Sequence, residues 1–361
     1  MSQPYTVLIT CLGGVYSRET VEALRLDRSL RLRIVGCDAD ASTVNRYFVD
    51  EFRVVPNASA APEQFGEVML ALCREMGVSL VISGADEEVL ALSRRRADFE
   101  AMGVTCAVER PETLAILRDK ATLFDCLRAA GVAVPAYRRV ESAGDVRLAA
   151  EMLGYPDRPF VLKPSTGRGA RGLMLVDARE RGVAHPAGTR GYVRGDLAGI
   201  AGAIAASGAT GLLAMEYLPG PAYDVDCVAT RGVPHCTVVR RRLWRDPLSP
   251  VSQGCRVERH PALEALTREV VAALGLSFAC DLDFGTGSDE GVGLFEVNPR
   301  WSGAVASALA GGVNVPAVLV RSVRGMALGE TEPRPGRSMY PVTRMVFVGG
   351  DAAPATGVEQ L

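Results

Sequence analysis

The sequence predicts an α/β chain: a Rossmann-like parallel sheet comes first, followed by a longer region of α+β character. Three observations predict it. Apolar strand-like runs alternate with helical periods over the first 110 residues; a lysine-bearing strand enters a glycine-rich loop between Pro159 and Val176; and an acidic hairpin spans Ala279 to Arg300. A length of 361 residues suits two or three domains. The boundaries read as 1–110, 111–330, and a linker with a last strand over 331–361.

Composition narrows the partners. With 48% hydrophobic residues, 23% charged residues and a net charge of −2, nothing pulls the chain toward nucleic acid or an anionic membrane. Nine cysteines without a C-x-x-C pair, and only His185, His235 and His260, argue against a Cys/His zinc site. They suit buried thiols in a reducing, cytoplasmic setting. The N-terminal Met-Ser-Gln-Pro-Tyr has no basic region, so no secretory signal is expected. The uncharged stretch from Leu197 to Met215 is long enough to cross a bilayer but rich in small residues. It reads as a helix, a break at Gly208–Gly211 and a strand.

In the first domain, Tyr5–Cys11 is a buried-strand pattern leading into Gly13-Gly14 and a helix to about Leu26. Arg33–Cys37 is a second strand ending in Asp38, and a helix from Pro62 to Met76 precedes the strand Leu80–Ser83. A glycine turn and an acid at the end of strand two suggest a dinucleotide fold, yet the full G-x-G-x-x-G is absent. The favoured reading is a Rossmann-like shape that binds no nicotinamide.

Pro111–Leu127 is helical by period, with Lys120 on the same stripe as Leu117, Phe124 and Leu127. A lysine there either snorkels outward or is aimed at an anion. Gly131 and Pro135 end the helix. The next strand carries Lys163, and glycines at 167, 169 and 172 follow with Arg168 and Arg171. Glycines let backbone N–H groups converge on phosphate oxygens; a plain basic hairpin turn is the alternative. The loop is not a Walker A sequence. Downstream, Arg240-Arg-Arg-Leu-Trp-Arg245 follows a strand and reads as a local phosphate pocket or a solvated face, and Arg256–Leu274 reads as a helix. The proline-rich Thr331–Arg337 leads to a last strand, Val342–Val348.

The acidic hairpin is the most informative stretch. Alternation puts Asp281 and Asp283 on one face, with Leu282 and Phe284 on the other. If the chain turns about Asp289-Glu290, Asp283 lies opposite Glu296, with Asn298 on the same face as Glu296. Like charges held opposite one another repel, so a cation is expected between them. Two carboxylates and an amide oxygen suit Mg²⁺, although a solvated hairpin face has the same pattern.

Taken in order, Asp119-Lys120, Val161-Leu-Lys163 with its glycine loop, Glu216-Tyr-Leu-Pro-Gly, Asp283, and Glu296-Val-Asn-Pro-Arg300 resemble the ATP-grasp superfamily. The nearest branch is the one similar to the carbamoyl-phosphate-synthetase large subunit and related carboxylate–amine ligases. Each motif is weak; five in this order are specific. The resemblance spans about residues 5 to 329 and implies a two-lobed ATP-grasp fold, with a lid subdomain over 135–215 and a metal-binding lobe over 216–330.

It implies site residues too. Lys120 and Lys163 would hold the α- and β-phosphates, and Thr166–Gly172 (Thr166, Gly167, Gly169 and Gly172 among them) would be the lid over the triphosphate. Glu216, Tyr217 and Leu218 would receive the adenine. Asp283, Glu296 and Asn298 would hold two Mg²⁺ ions, with Mn²⁺ able to substitute. Arg300, Lys163 and Arg240 (or Arg242 in its place) would contact the reacting phosphoryl or acyl group. Where the family usually has a ribose-binding acid this chain has Ala222, so Asp224, or else Asp226, would take that role. The activity implied is ATP-dependent joining of a small, amino-acid-like carboxylate to an amine through an acyl-phosphate. A carboxylase, or a module that binds ATP without reacting, is the alternative. No nucleic-acid or membrane partner is implied; a homodimer would fit the group. The acceptor side would be bordered by Gly13–Ser17, Asp86-Glu87, Arg300 and Ser302-Gly303.

Overall fold

The computed structural model describes residues 4–167, 172–184, 192–243, 254–288, 291–342 and 346–347. Three sheets build it. The first contains β1 (Tyr5–Ile9), β2 (Leu32–Asp38), β3 (Glu51–Val54), β4 (Leu80–Ile82) and β5 (Thr105–Cys106). All its pairs are parallel and the order is β3-β2-β1-β4-β5. Helices α1 (Ser17–Leu26), α2 (Pro62–Met76), α3 (Asp86–Arg94) and α4 (Arg96–Ala101) accompany it. One core lies between this sheet and α2–α4, built on Leu8, Val35, Phe65, Met69, Leu92 and Phe99. Strands buried on both faces read as continuous apolar runs, which is why β1, β2 and β4 were visible in the sequence. The short β3 and β5 carry too few residues to show a period.

The segment 111–127, expected as one helix, is two. α5 (Pro111–Arg118) stops at Asp119, and α6 (Lys120–Ala129) begins beyond it. Asp119 is extended (φ −109°, ψ 108°), and its carboxylate accepts from the Thr122 N–H at 2.7 Å. The N–H of Lys120 donates to the Ser165 carbonyl at 2.9 Å, tying this break to the end of the lysine strand. An Asp that can cap a new helix and pair with a neighbouring strand overrides the apolar period across it.

The second sheet comprises β6 (Tyr137–Val140), β7 (Phe160–Pro164), β8 (Leu173–Val176), β9 (Val183–Ala184), β10 (Tyr192–Gly195) and β11 (Leu212–Glu216), with α7 (Ala143–Leu153) and α8 (Leu197–Ser207). Its order is β6-β11-β7-β8-β10-β9. The small-residue stretch is, as read, a helix ended by Gly208 at φ +64°, then a strand.

The third sheet is antiparallel throughout: β12 (Ala222–Thr230), β13 (Val233–Arg242), β14 (Cys255–Val257), β15 (Phe278–Thr286), β16 (Val292–Asn298) and β17 (Ser338–Met339), in the order β16-β15-β12-β13-β14-β17. Two expectations are corrected. Arg240–Arg242 belong to β13 itself rather than following it, and the expected 256–274 helix is β14 plus α9 (Pro261–Leu274). Pro261 at the first helical turn, with the His260 ring accepting from the Leu263 N–H, sets that start. Gly169, Arg168, Arg171, Trp244, Arg245, Asp289, Glu290 and most of the expected last strand lie outside the described residues.

Two cores join the layers. One runs from α6 through β7, β11, β12 and β15 to α9, so the lysine strand and the acidic strand share one interior. The other packs Val7, Ile9 and Leu24 of the first domain against Val228, Val238, Trp301 and α10 (Val315–Val323). Among the described residues no single helix is long and apolar enough to cross a membrane.

Candidate ATP-binding and catalytic site

The site gathers side chains of the second and third sheets and of α6. The hairpin register is the one alternation predicts: Asp283 pairs with Glu296 and Asp281 with Asn298. The neighbouring strand extends both rows. Asp224 pairs with Asp283 on one side and Arg240 on the other, while Asp226 pairs with Asp281. One cross-strand row therefore reads Arg240, Asp224, Asp283, Glu296, and the next contains Asp226, Asp281 and Asn298.

Each lysine arrives from a different element. Lys120, buried at the first turn of α6, has its Nζ 3.2 Å from the Glu296 carboxylate and donates to the Gly167 carbonyl at 2.7 Å. Lys163, on β7, donates to the Phe295 carbonyl at 3.1 Å. That carbonyl is available because the β15–β16 register shifts between Asp283 and Phe284, skipping Phe295. Burial, with Lys120 beside it, pulls the Lys163 ammonium down to about 7. Burial alone would raise Glu296, but Lys120 and Lys163 outweigh it and hold the carboxyl below its ordinary value.

On the other side of Asp283 the counter-charges are guanidiniums. Arg242 reaches Asp283 at 2.9 Å and also pairs with Asp224. Arg240, 1% exposed, bonds Asp226 at 2.7 Å and donates to Ser302 Oγ at 2.8 Å. Burial opposes ionisation of Asp224, yet Arg242 and Arg240 carry its carboxyl down to about 2. At Asp281 the balance goes the other way: burial, then Asp224 and Asp226, outweigh the pull of Arg240 and Arg300 and push it up to about 8. Asp283 is raised as well, chiefly by burial, against the pull of Arg242. Arg300 bonds Asp86 of the first domain at 2.8 Å and lies 4.0 Å from Asp281.

The hinge between the sheets is backbone-rich. The Glu216 N–H donates to the Ala136 carbonyl at 2.9 Å, and the Glu216 carboxylate accepts from the Ala136 N–H at 2.9 Å. Leu218 is buried, and the Gly220 N–H donates to the Thr286 carbonyl at 2.8 Å. A cavity of about 170 Å³ opens beside this assembly, lined by Asp86, Leu114, Lys120, Gly167, Glu296 and Asn298 among others.

The structure thus brings Lys120, Lys163, Gly167, Glu296, Asp283, Asn298 and Arg300 to one place. Thr166 is exposed and bridged to Asp119, and Gly172 (φ +72°) immediately precedes the returning strand β8. Two residues differ from their expected settings. Asp224 does not stand free for a ribose; its carboxylate is taken by Arg242. Arg240 is enclosed by Asp226 and Ser302, leaving Arg242 as the guanidinium nearer the opening. The sequence signal for Asp224 was a doublet: Asp224-Val-Asp226 on one strand answers Asp281-Leu-Asp283 on the next. Two carboxylates and an amide oxygen fit a hard divalent cation.

A family described as ATP-grasp in the biosynthetic pathway with Ter operon matches residues 209–345, and the PylC-like N-terminal domain matches residues 7–107. The part of the chain that carries the acidic hairpin thus matches an ATP-grasp family. Among solved structures, the chain is similar in fold to the ADP complex of purK, N5-carboxyaminoimidazole ribonucleotide synthetase (TM-score 0.66, 15% identity, 92% of this chain and 80% of that one). The L-amino acid ligase from Bacillus licheniformis gives TM-score 0.66 at 16% identity, over 92% and 78%. The biotin carboxylase domain of the Hydrogenobacter thermophilus 2-oxoglutarate carboxylase, with ADP, magnesium and bicarbonate, gives 0.67 at 16%, over 93% and 74%. An uncharacterized protein of Sinorhizobium fredii, y4rH, is 28% identical over 240 residues, 58% of this chain but 46% of that relative. The alignment therefore spans less than half of that relative's length.

Proposed function

We propose that this protein is an ATP-dependent carbon–nitrogen ligase: it activates a carboxylate as an acyl-phosphate and passes the acyl group to an amine, releasing ADP and phosphate. The observation that carries the reading is the convergence of Lys120 and Lys163 on Glu296, itself opposite Asp283. A carboxylate approaching an anionic γ-phosphate is repelled unless that charge is neutralised. Asp283, Glu296 and Asn298 would hold Mg²⁺, which supplies such neutralisation when bound. Lys120 and Lys163 would lie along the phosphates, and binding a polyanion would restore to Lys163 the charge that burial disfavours. The hinge at Glu216–Leu218 offers backbone groups to the adenine. Arg300, held by Asp86, would orient the acyl or phosphoryl oxygens. An acyl-phosphate must be kept from water, and the segment from Thr166 to Gly172 would be the lid that does so.

The substrates would be small, with an amino-acid-like carboxylate and a free amine, and a homodimer is compatible with the fold. A second reading has support of its own, since biotin carboxylase and N5-carboxyaminoimidazole ribonucleotide synthetase resemble the chain as closely as the amino acid ligase does. In it the activated carboxylate is bicarbonate.

ADP and phosphate release from Mg-ATP, with pooled carboxylic acids and pooled amines and Glu296→Ala as the blank, tests both. Release that needs both pools supports the ligase. Release that vanishes when bicarbonate is stripped supports the carboxylase. Unchanged ATP consumption in Glu296→Ala would sink both readings. ATP binding with no release would point to a non-reacting module, with Ala222 the residue to restore to an acid.

A further inference from the structure

Asp283 has acidic neighbours on two sides. Toward β16 it faces Glu296, whose charge is met by two lysines. Toward β12 it faces Asp224, with Asp281 two residues away on its own strand. One carboxylate oxygen from each of Asp224, Asp281 and Asp283 lies within 4.8 Å of the other two. Three carboxylates at that spacing form a ligand set for a hard cation that shares only Asp283 with the Asp283–Glu296 pair.

Asp281 is the least satisfied member of the cluster. The residue is 6% exposed, and its Oδ1 is fully enclosed without a hydrogen-bond donor. Its other oxygen has only a 3.4 Å contact from the Asn298 amide and Arg300 at 4.0 Å. Leaving a buried carboxylate oxygen without a donor is destabilising, so a partner is called for.

The resident cations do not satisfy the cluster. Arg242 spans Asp224 and Asp283, and Arg240 belongs mainly to Asp226, reaching Asp224 only at 3.8 Å. Arg300 is committed to Asp86. Four carboxylates on the two paired strands (Asp224, Asp226, Asp281 and Asp283) are thus met by two guanidiniums in close contact.

We propose that Asp224, Asp281 and Asp283 form a cation site of this protein's own, taking Mg²⁺ or Mn²⁺ without nucleotide. Asp281 is the ligand that distinguishes it from the phosphate-associated position at Glu296. The cation draws Asp224 and Asp283 together with Asp281, and Arg242 yields its contact with Asp283 to the metal.

The test needs neither ATP nor turnover. Metal-stripped, full-length protein is titrated with Mn²⁺, and the free-ion electron paramagnetic resonance signal is followed. Wild type is expected to bind one Mn²⁺ per chain. Asp281→Asn and Asp224→Asn, each checked for folding by circular dichroism, should weaken binding at least about tenfold. Glu296→Gln should bind within about twofold of wild type. The two Asn variants come from different strands, so a folding failure in one leaves the other to decide. The proposal is overturned if wild type leaves all the Mn²⁺ free, if the folded Asn variants bind as wild type does, or if only Glu296→Gln loses the ion.

Discussion

At Asp119 one side chain decides where two helices meet. Its carboxylate caps α6, and Arg139 approaches it at 3.4 Å. The cap also fixes Lys120 as the first residue of the helix, aimed at Glu296 and the Gly167 carbonyl. Replacing Asp119 with Ala should cost about 1 kcal/mol in a urea titration. It should also weaken nucleotide binding, because the lysine loses its anchor point. Asp119→Asn, which keeps an accepting oxygen, should recover most of both. If Asp119→Ala melts with the wild type and binds ATP equally well, the cap does not position Lys120. Sequence periodicity could not have shown this, since the apolar stripe continues across residue 119 and only a tertiary partner, Ser165, shows that the helix is interrupted.

The hairpin β15–β16 is the element most legible in the sequence. Strict alternation of Asp281, Asp283, Glu296 and Asn298 with buried Leu282, Phe284 and Val297 fixes both faces, and that alone sets Asp283 against Glu296. What alternation cannot reveal is a bulge. The skipped Phe295 turns its carbonyl to Lys163 and its ring over Gly285, where a Cβ would overlap the ring. Gly285→Ala should therefore move Phe295 and cost roughly 1–3 kcal/mol, as overpacking does. ATP affinity should fall with it, because the Lys163 anchor moves; a denaturant titration and an ATP titration of the same variant would read the two effects. Unchanged stability and affinity would mean that the ring swings aside freely. The arginine run illustrates the other limit of sequence reading. Arg240 and Arg242 point to the same face of β13, and only the register with Asp224 and Asp226 separates the enclosed guanidinium from the one near the opening.

The whole molecule depends on the first domain being held against the third sheet, and buried acids take part in that. Arg300 bonds Asp86, Arg321 bonds Asp27, and the Glu109 carboxylate accepts from the Ser277 N–H at 2.6 Å just before β15. Glu109 is pushed up to about 7 by burial. Glu88 is raised to about 7 by burial as well, against the hydrogen bonds of Thr10 and Ser83 at the open ends of β1 and β4. An acid whose folded pKa exceeds its unfolded value binds its proton more tightly in the native state. Its contribution is complete below about pH 4.5, shrinks as pH rises and is gone above about 7. For Glu88 the span from 4.5 to about 7 corresponds to about 3 kcal/mol. Thermal unfolding followed at fixed ionic strength should therefore show the melting temperature falling between pH 5 and pH 8. Glu88→Gln, which stays neutral and keeps an accepting oxygen for Thr10 and Ser83, should remove part of that slope. Its advantage over wild type should grow with pH and be absent at pH 4.5. A Glu88→Gln melting curve parallel to wild type across this range would show that Glu88 ionises in the folded chain at its ordinary pKa. The open ends of β1 and β4 would then be more accessible to water than their packing implies.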